Sequence, residues 1–320
     1  MASDAILSEK IKKILGLINL SEARVQLEPH ILFLCGGDVD VTKTTNHSIR
    51  NMFMNLSASA ADKTGGFVLA ENFKDWQVGY VSLSDFENDI AYLSSLVVIF
   101  LESEGALTEF GLFFANSLLR KKLVIVIHDE FHKSESFIKF GLLGPLEIND
   151  QKSVRVYDID HRKIESVKKQ EVQDVLDDLI EHVESKDKTE KFDINNRGHQ
   201  MFLTYQLIDL FGAVTKPEIN QYVDFLGLKI SSKNMDSIIY ILMKFNMIAV
   251  TKKSSQYFYH VASPVFERLD FPWDRSGGRR YDYLSAKIAL MEFYQHSQKE
   301  SRTDKRRLQV INHPSLKAEV

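Results

Sequence analysis

Leu96 to Leu101 is an unbroken apolar run that stops at a polar, Gly-containing turn, Glu102-Ser103-Glu104-Gly105. A helix-like pattern follows at once, with Thr108 and Glu109 in its expected first turn. A short apolar run bounded by turn residues fits a strand covered on both faces, as in a parallel sheet. Ligands of open parallel sheets collect just beyond the carboxyl ends of the strands. Glu109 therefore stands on a rigid scaffold where a ligand can reach it. The partial positive charge of a helix start is expected to keep it ionised, as a nucleophile requires.

The same signature recurs along residues 28–183. Ile31 to Cys35 runs into Gly36-Gly37-Asp38, a turn whose glycines let the backbone approach an anion closely. Phe67 to Leu69 follows Gly65-Gly66 and ends at Ala70-Glu71-Asn72. Leu123 to His128 and Ser153 to Asp158 complete the set. Helical patterns lie between them, over 45–61, 84–95, 108–119 and 164–183, and Ser84 with Glu87 has capping-box spacing. Strands alternating with helices define an α/β domain with a flavodoxin-like (Rossmannoid) parallel sheet. Glu71 and the group Asp85, Glu87, Asn88 and Asp89 fall near the strand ends. The loop from Phe131 to Gly141, with Phe137, is placed to cover a pocket, and His128 and His132 sit at its rim.

A different module follows. Residues 1–27 are expected to be an N-terminal amphipathic helix (Leu7, Ile11, Ile14, Leu15, Ile18), and 184–194 a charged linker. Over 195–272 come a helix, a second helix opened by the Thr215/Glu218 capping box with Pro217, and a third from Ser231 or Ser232. Met247 to Thr251 and Tyr257 to Val261 flank a tip carrying Lys252 and Lys253. Three helices and a basic hairpin make a winged helix, with Lys229, Lys233, Lys244, Lys252 and Lys253 as candidate phosphate contacts. Residues 273–320 supply a hinge at Gly277-Gly278, a helix over 281–298 and a basic tail with Lys299, Arg302, Lys305, Arg306 and Arg307. Charge divides the same way: +6 from residue 195 onward against −10 before it.

One cysteine among 320 residues excludes an internal disulfide framework and a structural thiolate zinc site, and fits a reducing cytosol. No apolar run approaches a membrane span, and the N-terminus lacks a basic region followed by an apolar core. Neither a Walker A sequence nor a Gly-x-Gly-x-x-Gly fingerprint is present. Clustered carboxylates at strand ends suit glycosidic cleavage through an oxocarbenium-like transition state: one attacks or stabilises the anomeric carbon, and others orient ribose hydroxyls. A non-catalytic reading also stands, a ligand-sensing regulator with the α/β domain as sensor and the winged helix as DNA reader.

Ile31-Leu32-Phe33-Leu34-Cys35-Gly36-Gly37-Asp38-Val39, Glu102-Ser103 with Thr108-Glu109-Phe110-Gly111, and Ser136-Phe137-Ile138 with Gly141 together resemble retron-associated effector proteins. In these a domain similar to nucleoside 2-deoxyribosyltransferases precedes a winged helix. The resemblance implies that Glu109 is the nucleophile and that Gly36, Gly37, Asp38, Glu71, Glu87, Asn88, Ser103, Thr108 and Phe137 surround the substrate. Ser95 replaces a usual Asp, and Glu104-Gly105 replaces Pro-Gly, departures that favour hydrolysis over transfer to an acceptor base. The implied activity is N-glycosidic cleavage of NAD, taken as substrate with no cofactor, or of nucleosides and nucleotides. The implied setting is phage defence, with the toxin restrained by a reverse transcriptase and its multicopy single-stranded DNA, in a higher-order oligomer.

Overall fold

The computed structural model describes residues 7–40, 46–57, 66–262, 267–270, 272 and 282–313. The chain divides into two compact units, Leu27–Lys188 and a second built from Met1–Gln26 with Thr189–Val320. Among the described residues ten strands run in chain order: β1 (Arg24–Gln26), β2 (Leu32–Cys35), β3 (Phe67–Val68), β4 (Leu96–Phe100), β5 (Leu123–His128), β6 (Val154–Tyr157), β7 (Thr189–Lys191), β8 (Ile248–Lys253), β9 (Gln256–Val261) and β10 (Leu269–Asp270).

In the first unit β3-β2-β4-β5-β6 form one parallel sheet, with Leu32 opposite Leu96 and Val97 opposite Leu123. Numbered within the unit this is the order 2-1-3-4-5, whose direction reverses between β2 and β4. All residues of β2 and β4 are buried, as a sheet covered on both faces demands. Leu34, Val98, Phe100 and Val126 pack with Phe53 of the helix Ile49–Ser57 and with Val172, Leu176 and Leu179 of the helix Lys169–Glu184. Phe33 meets Phe113 of the helix Glu104–Ala115 edge-on at 6.0 Å. Because successive residues alternate faces, Cys35 shares the Phe33 side.

Two helix starts differ from expectation, and both move a carboxylate. The central helix begins at Glu104, with the Ser103 side chain accepting from the Ala106 N–H, so Thr108 and Glu109 lie in its second turn. Once Ser103 provides a cap, nothing excludes Glu104 and Gly105 from the first turn. The preceding helix is Leu83–Leu93 with Ser82 at its N-cap, so Ser84 and Glu87 form no capping box. Ser82 and Ser84 share a hydroxyl contact instead, and Glu87 is left for another role.

The second unit corrects three expectations. The expected linker contains β7, which pairs with β1 in the three-stranded antiparallel sheet β10-β1-β7. The expected N-terminal helix is confined to Glu9–Leu15, and β1 follows within the same stretch. The basic tail is the helix Arg302–Ile311, and Arg307 is among the largest fully buried side chains. Its guanidinium meets Glu218, the Ala213 carbonyl (2.7 Å) and Asp304 (3.2 Å), and lies 4.6 Å from the Tyr294 ring centre. Those partners offset the desolvation of a buried cation, which is why this arginine leaves solvent.

The helices Arg197–Phe211, Lys216–Phe225 and Ser232–Lys244 precede the antiparallel hairpin β8–β9, and the Thr215/Glu218 capping box is present. The hairpin turns at Ser254, whose φ is 55°. The Gly277-Gly278 hinge lies outside the described residues. No described helix is long and apolar enough to cross a membrane.

Candidate active site

A cavity of about 410 Å³ opens beside the carboxyl ends of β2 and β3. Glu71, Glu87 and Glu109 line it together with Arg50 and Lys74, and Phe33, Phe73 and Trp76 supply apolar wall. Three elements deliver the three carboxylates. Glu71 sits in the short turn Ala70–Asn72 just after β3, and Glu87 and Glu109 each stand in the second turn of their helix.

Crowding changes their chemistry. Burial pushes the Glu109 carboxyl up to about 7, with Glu87 and Glu71 adding to the rise while Arg50 and a hydrogen bond from Cys35 oppose it. Burial, then Glu71, lifts Glu87 to about 7 as well. The buried Cys35 thiol is held well above its ordinary value by desolvation and then by Glu109. The expected helix-start protection of Glu109 is therefore absent. The dipole's influence fades within the first turn, and Glu109 lies beyond it. A carboxyl near 7 shares one site with a second near 7, which is how a single cavity holds both an ionised and a protonated carboxyl at neutral pH.

Arg50, unmarked in the sequence reading, is 3% exposed. Its Nε donates to the Gly37 carbonyl (2.7 Å), Nη1 to the Leu34 carbonyl (3.0 Å) and Nη2 to Glu71. Glu102, given no role in the sequence beyond its place in the turn motif, accepts from the backbone N–H groups of Gly37 (3.0 Å), Ile49 (2.7 Å) and Arg50 (3.0 Å). It thus holds the Gly-Gly turn against the start of the helix Ile49–Ser57. A Cβ on Gly37 would lie 2.7 Å from the Ser48 Cβ, and one on Gly36 would lie 3.0 Å from the Phe100 Cβ. In this structure the two glycines permit close packing of the protein on itself. Glu102→Ala leaves three backbone donors without their acceptor and is expected to cost about 3 kcal/mol in urea unfolding.

The remaining expected site residues lie elsewhere. Asp38 accepts the Ser48 hydroxyl through its carbonyl. Asn88 is not among the residues lining the Glu109 cavity. Thr108 bonds back to the Glu104 carbonyl and is exposed. Ser103 lines a second cavity of about 370 Å³ with Leu107, Phe131 and His161. Phe137 is 79% exposed and lines neither cavity, so the aromatic wall at Glu109 comes from Phe33, Phe73 and Trp76.

In the expected helix over 45–61 Arg50 falls past the first turn and carries no signal. The helix start at Ile49 puts this cation in the first turn, against the helix dipole, a local conflict that marks a constrained site. Phe73 and Trp76 had only an aromatic-rich loop to announce them.

The candidate nucleic-acid contacts fall into two groups. Lys233 is exposed on the first turn of Ser232–Lys244, and Lys252 is exposed on β8, 5.4 Å from the Tyr257 ring centre. Lys253 ends β8. Lys229 pairs with Asp224, and Lys244 lies 5.4 Å from the Tyr240 ring centre.

Two curated relatives come from Escherichia coli. One, named "Retron Ec86 putative ribosyltransferase/DNA-binding protein", is 32% identical over 125 residues, 38% of this chain and 39% of the relative. The other, named "Retron Ec73 putative ribosyltransferase/DNA-binding protein", is 28% identical over 166 residues, 49% of this chain and 51% of the relative. The chain thus spans about two fifths to half the length of these relatives. The family model described as STM3845 retron effector protein matches residues 46–250, a stretch holding Arg50, Glu71, Glu87 and Glu109 and the helices Arg197–Phe211, Lys216–Phe225 and Ser232–Lys244, and ending within β8. With more than half its length matched, the chain belongs to the STM3845 retron effector protein family.

Proposed function

We propose that the chain is the N-glycosidase effector of a retron antiphage system and cleaves the nicotinamide–ribose bond of NAD. The observation that carries this reading is the convergence of Glu71, Glu87 and Glu109 with Arg50 in one aromatic-walled cavity. Membership of a retron effector family, and relatives whose names include ribosyltransferase, support it.

In the proposed reaction an ionised Glu109 oxygen approaches the anomeric carbon as the C–N bond breaks. The bonding electron pair leaves with the base, and Glu109 stabilises or captures the oxocarbenium carbon. Water then adds to that carbon, gives its proton to a carboxylate, and where Glu109 had captured the carbon the Glu109–carbon bond breaks with its electron pair returning to the carboxylate. Glu87 and Glu71 orient the ribose hydroxyls. The ionised Glu109 oxygen at the reacting carbon favours a cationic pyridinium as departing base, which leaves neutral and needs no proton. A neutral nucleoside base would need one, and a protonated Glu87 is the candidate donor for that second reading. Expression of the chain and of Glu109→Gln, with the nucleotide pool followed by mass spectrometry, tests the assignment. NAD loss confined to the unmodified chain supports it, NAD loss in both overturns it, and loss of another nucleotide selects the second reading.

The three helices and the hairpin of the second unit are proposed to act as a winged helix that binds nucleic acid, in line with relatives named DNA-binding. In this proposal the reverse transcriptase and its multicopy single-stranded DNA restrain the toxin. Changing Lys252 and Lys253 together to alanine is expected to weaken DNA binding uniformly across sequences. It should also reduce the magnitude of the salt slope by about two.

A further inference from the structure

An arginine in a nucleotide-sized cavity invites the reading of a phosphate clamp, but the geometry here points elsewhere. Each of the three guanidinium nitrogens of Arg50 is engaged: two on the carbonyls of Leu34 and Gly37, the third on Glu71. The backbone behind it is fixed as well, since the Arg50 and Ile49 N–H groups are held by Glu102. We infer that Arg50 is the positioning residue of this site: anchored from β2, it presents one fixed positive charge to Glu109, and Glu71 is the counter-charge that limits how much of it Glu109 feels.

The inference rests on the glycosidase reading for its role in turnover, but its geometry does not. The charged and titratable groups acting on Glu109 are Cys35 from β2, Arg50 from the helix Ile49–Ser57, Glu71 from the turn after β3 and Glu87 from the helix Leu83–Leu93. Lys74 also lines the cavity. Among these Arg50 is the buried cation. Glu71 is more than half exposed, so its removal spares the core. A substrate hydroxyl or phosphate that draws Glu71 away would leave more of the Arg50 charge acting on Glu109, favouring its ionised form as the site fills.

The test is a double-mutant cycle read by carboxyl carbon NMR titration of the full ligand-free chain with labelled glutamate. Glu109→Gln and Glu87→Gln assign the two resonances. Glu71→Gln is expected to lower the Glu109 midpoint by about one pH unit, and Arg50→Gln to raise it by about as much. In the Arg50→Gln background the effect of Glu71→Gln should fall to half or less. Where Arg50→Gln does not fold, Arg50→Met, which removes the charge but keeps an apolar stem in the buried position, closes the cycle with the same expected loss of coupling. Additive shifts would overturn the inference, since Glu71 would then act on Glu109 without Arg50. The titration needs no turnover. Failure of the glycosidase reading appears instead as absent base release by the unmodified chain. With that activity in hand, the acid limb of kcat/KM should follow the NMR midpoints across the variants.

Discussion

Glu109→Gln is expected to lower kcat/KM for base release by about 10³- to 10⁵-fold, the range seen when a nucleophile is removed from a site whose other groups persist. The same change is expected to stabilise the fold at alkaline pH. Glu109 titrates near 7 when folded against an ordinary value of 4.5, so between those values the folded state binds more protons than the unfolded one. Stability from this group is therefore complete below about 4.5 and is lost as pH rises through about 7. Glutamine removes that loss. Thermal unfolding of Glu109→Gln should exceed that of the unmodified chain at pH 8 by about 1 kcal/mol, a value discounted for solvent screening, and the two should converge near pH 4.5. A large loss of activity with a gain in stability is the signature of a residue kept for chemistry. Loss of both would mark Glu109 as structural.

Arg307→Ala is expected to cost the second unit about 3–5 kcal/mol, the usual consequence of removing one partner from a buried ion pair. Glu218, Asp304 and the Ala213 carbonyl all lose their donor at once. Glu218 also caps the helix Lys216–Phe225 through the Thr215 N–H (2.8 Å), so the damage should reach the three-helix region. Against a total stability of about 5–15 kcal/mol for a domain, such a loss is large. Urea unfolding followed by tryptophan-independent probes, such as amide exchange in the helix Arg197–Phe211, reads it directly. Arg307→Ala combined with Glu218→Gln should cost less than the sum of the two, because the second change neutralises the carboxylate left behind.

The parallel sheet was legible because its signal is local. Strands such as β4 are continuous apolar runs, and each ends at residues that stop a strand. Glu109, Glu71 and Glu87 could be picked out as carboxylates near strand ends, and the fold gathers them into one cavity. Asn88, adjacent to Glu87 in sequence, shows the limit of that reasoning. One residue along a helix turns the side chain by about 100°, so neighbours in sequence need not face one cavity. Arg50 and Glu102 escaped because their partners lie far along the chain: Glu102 accepts from backbone groups 52 and 53 residues away. Backbone hydrogen bonds of that span leave no periodicity to read. Arg307 escaped for a related reason. A run of arginines and lysines reads as a solvated tail, and only the tertiary structure brings Glu218, 89 residues away, to its guanidinium.

The central claim is that Glu109 breaks an N-glycosidic bond, and product stoichiometry tests it most directly. The purified 320-residue chain is incubated with NAD, and separately with nucleosides and nucleotides, and free base and ribosyl product are quantified by mass spectrometry. The account predicts nicotinamide and ADP-ribose in equal amounts from NAD, with none above background from Glu109→Gln. Absence of free base from every N-glycoside offered, or equal release by Glu109→Gln, would contradict it.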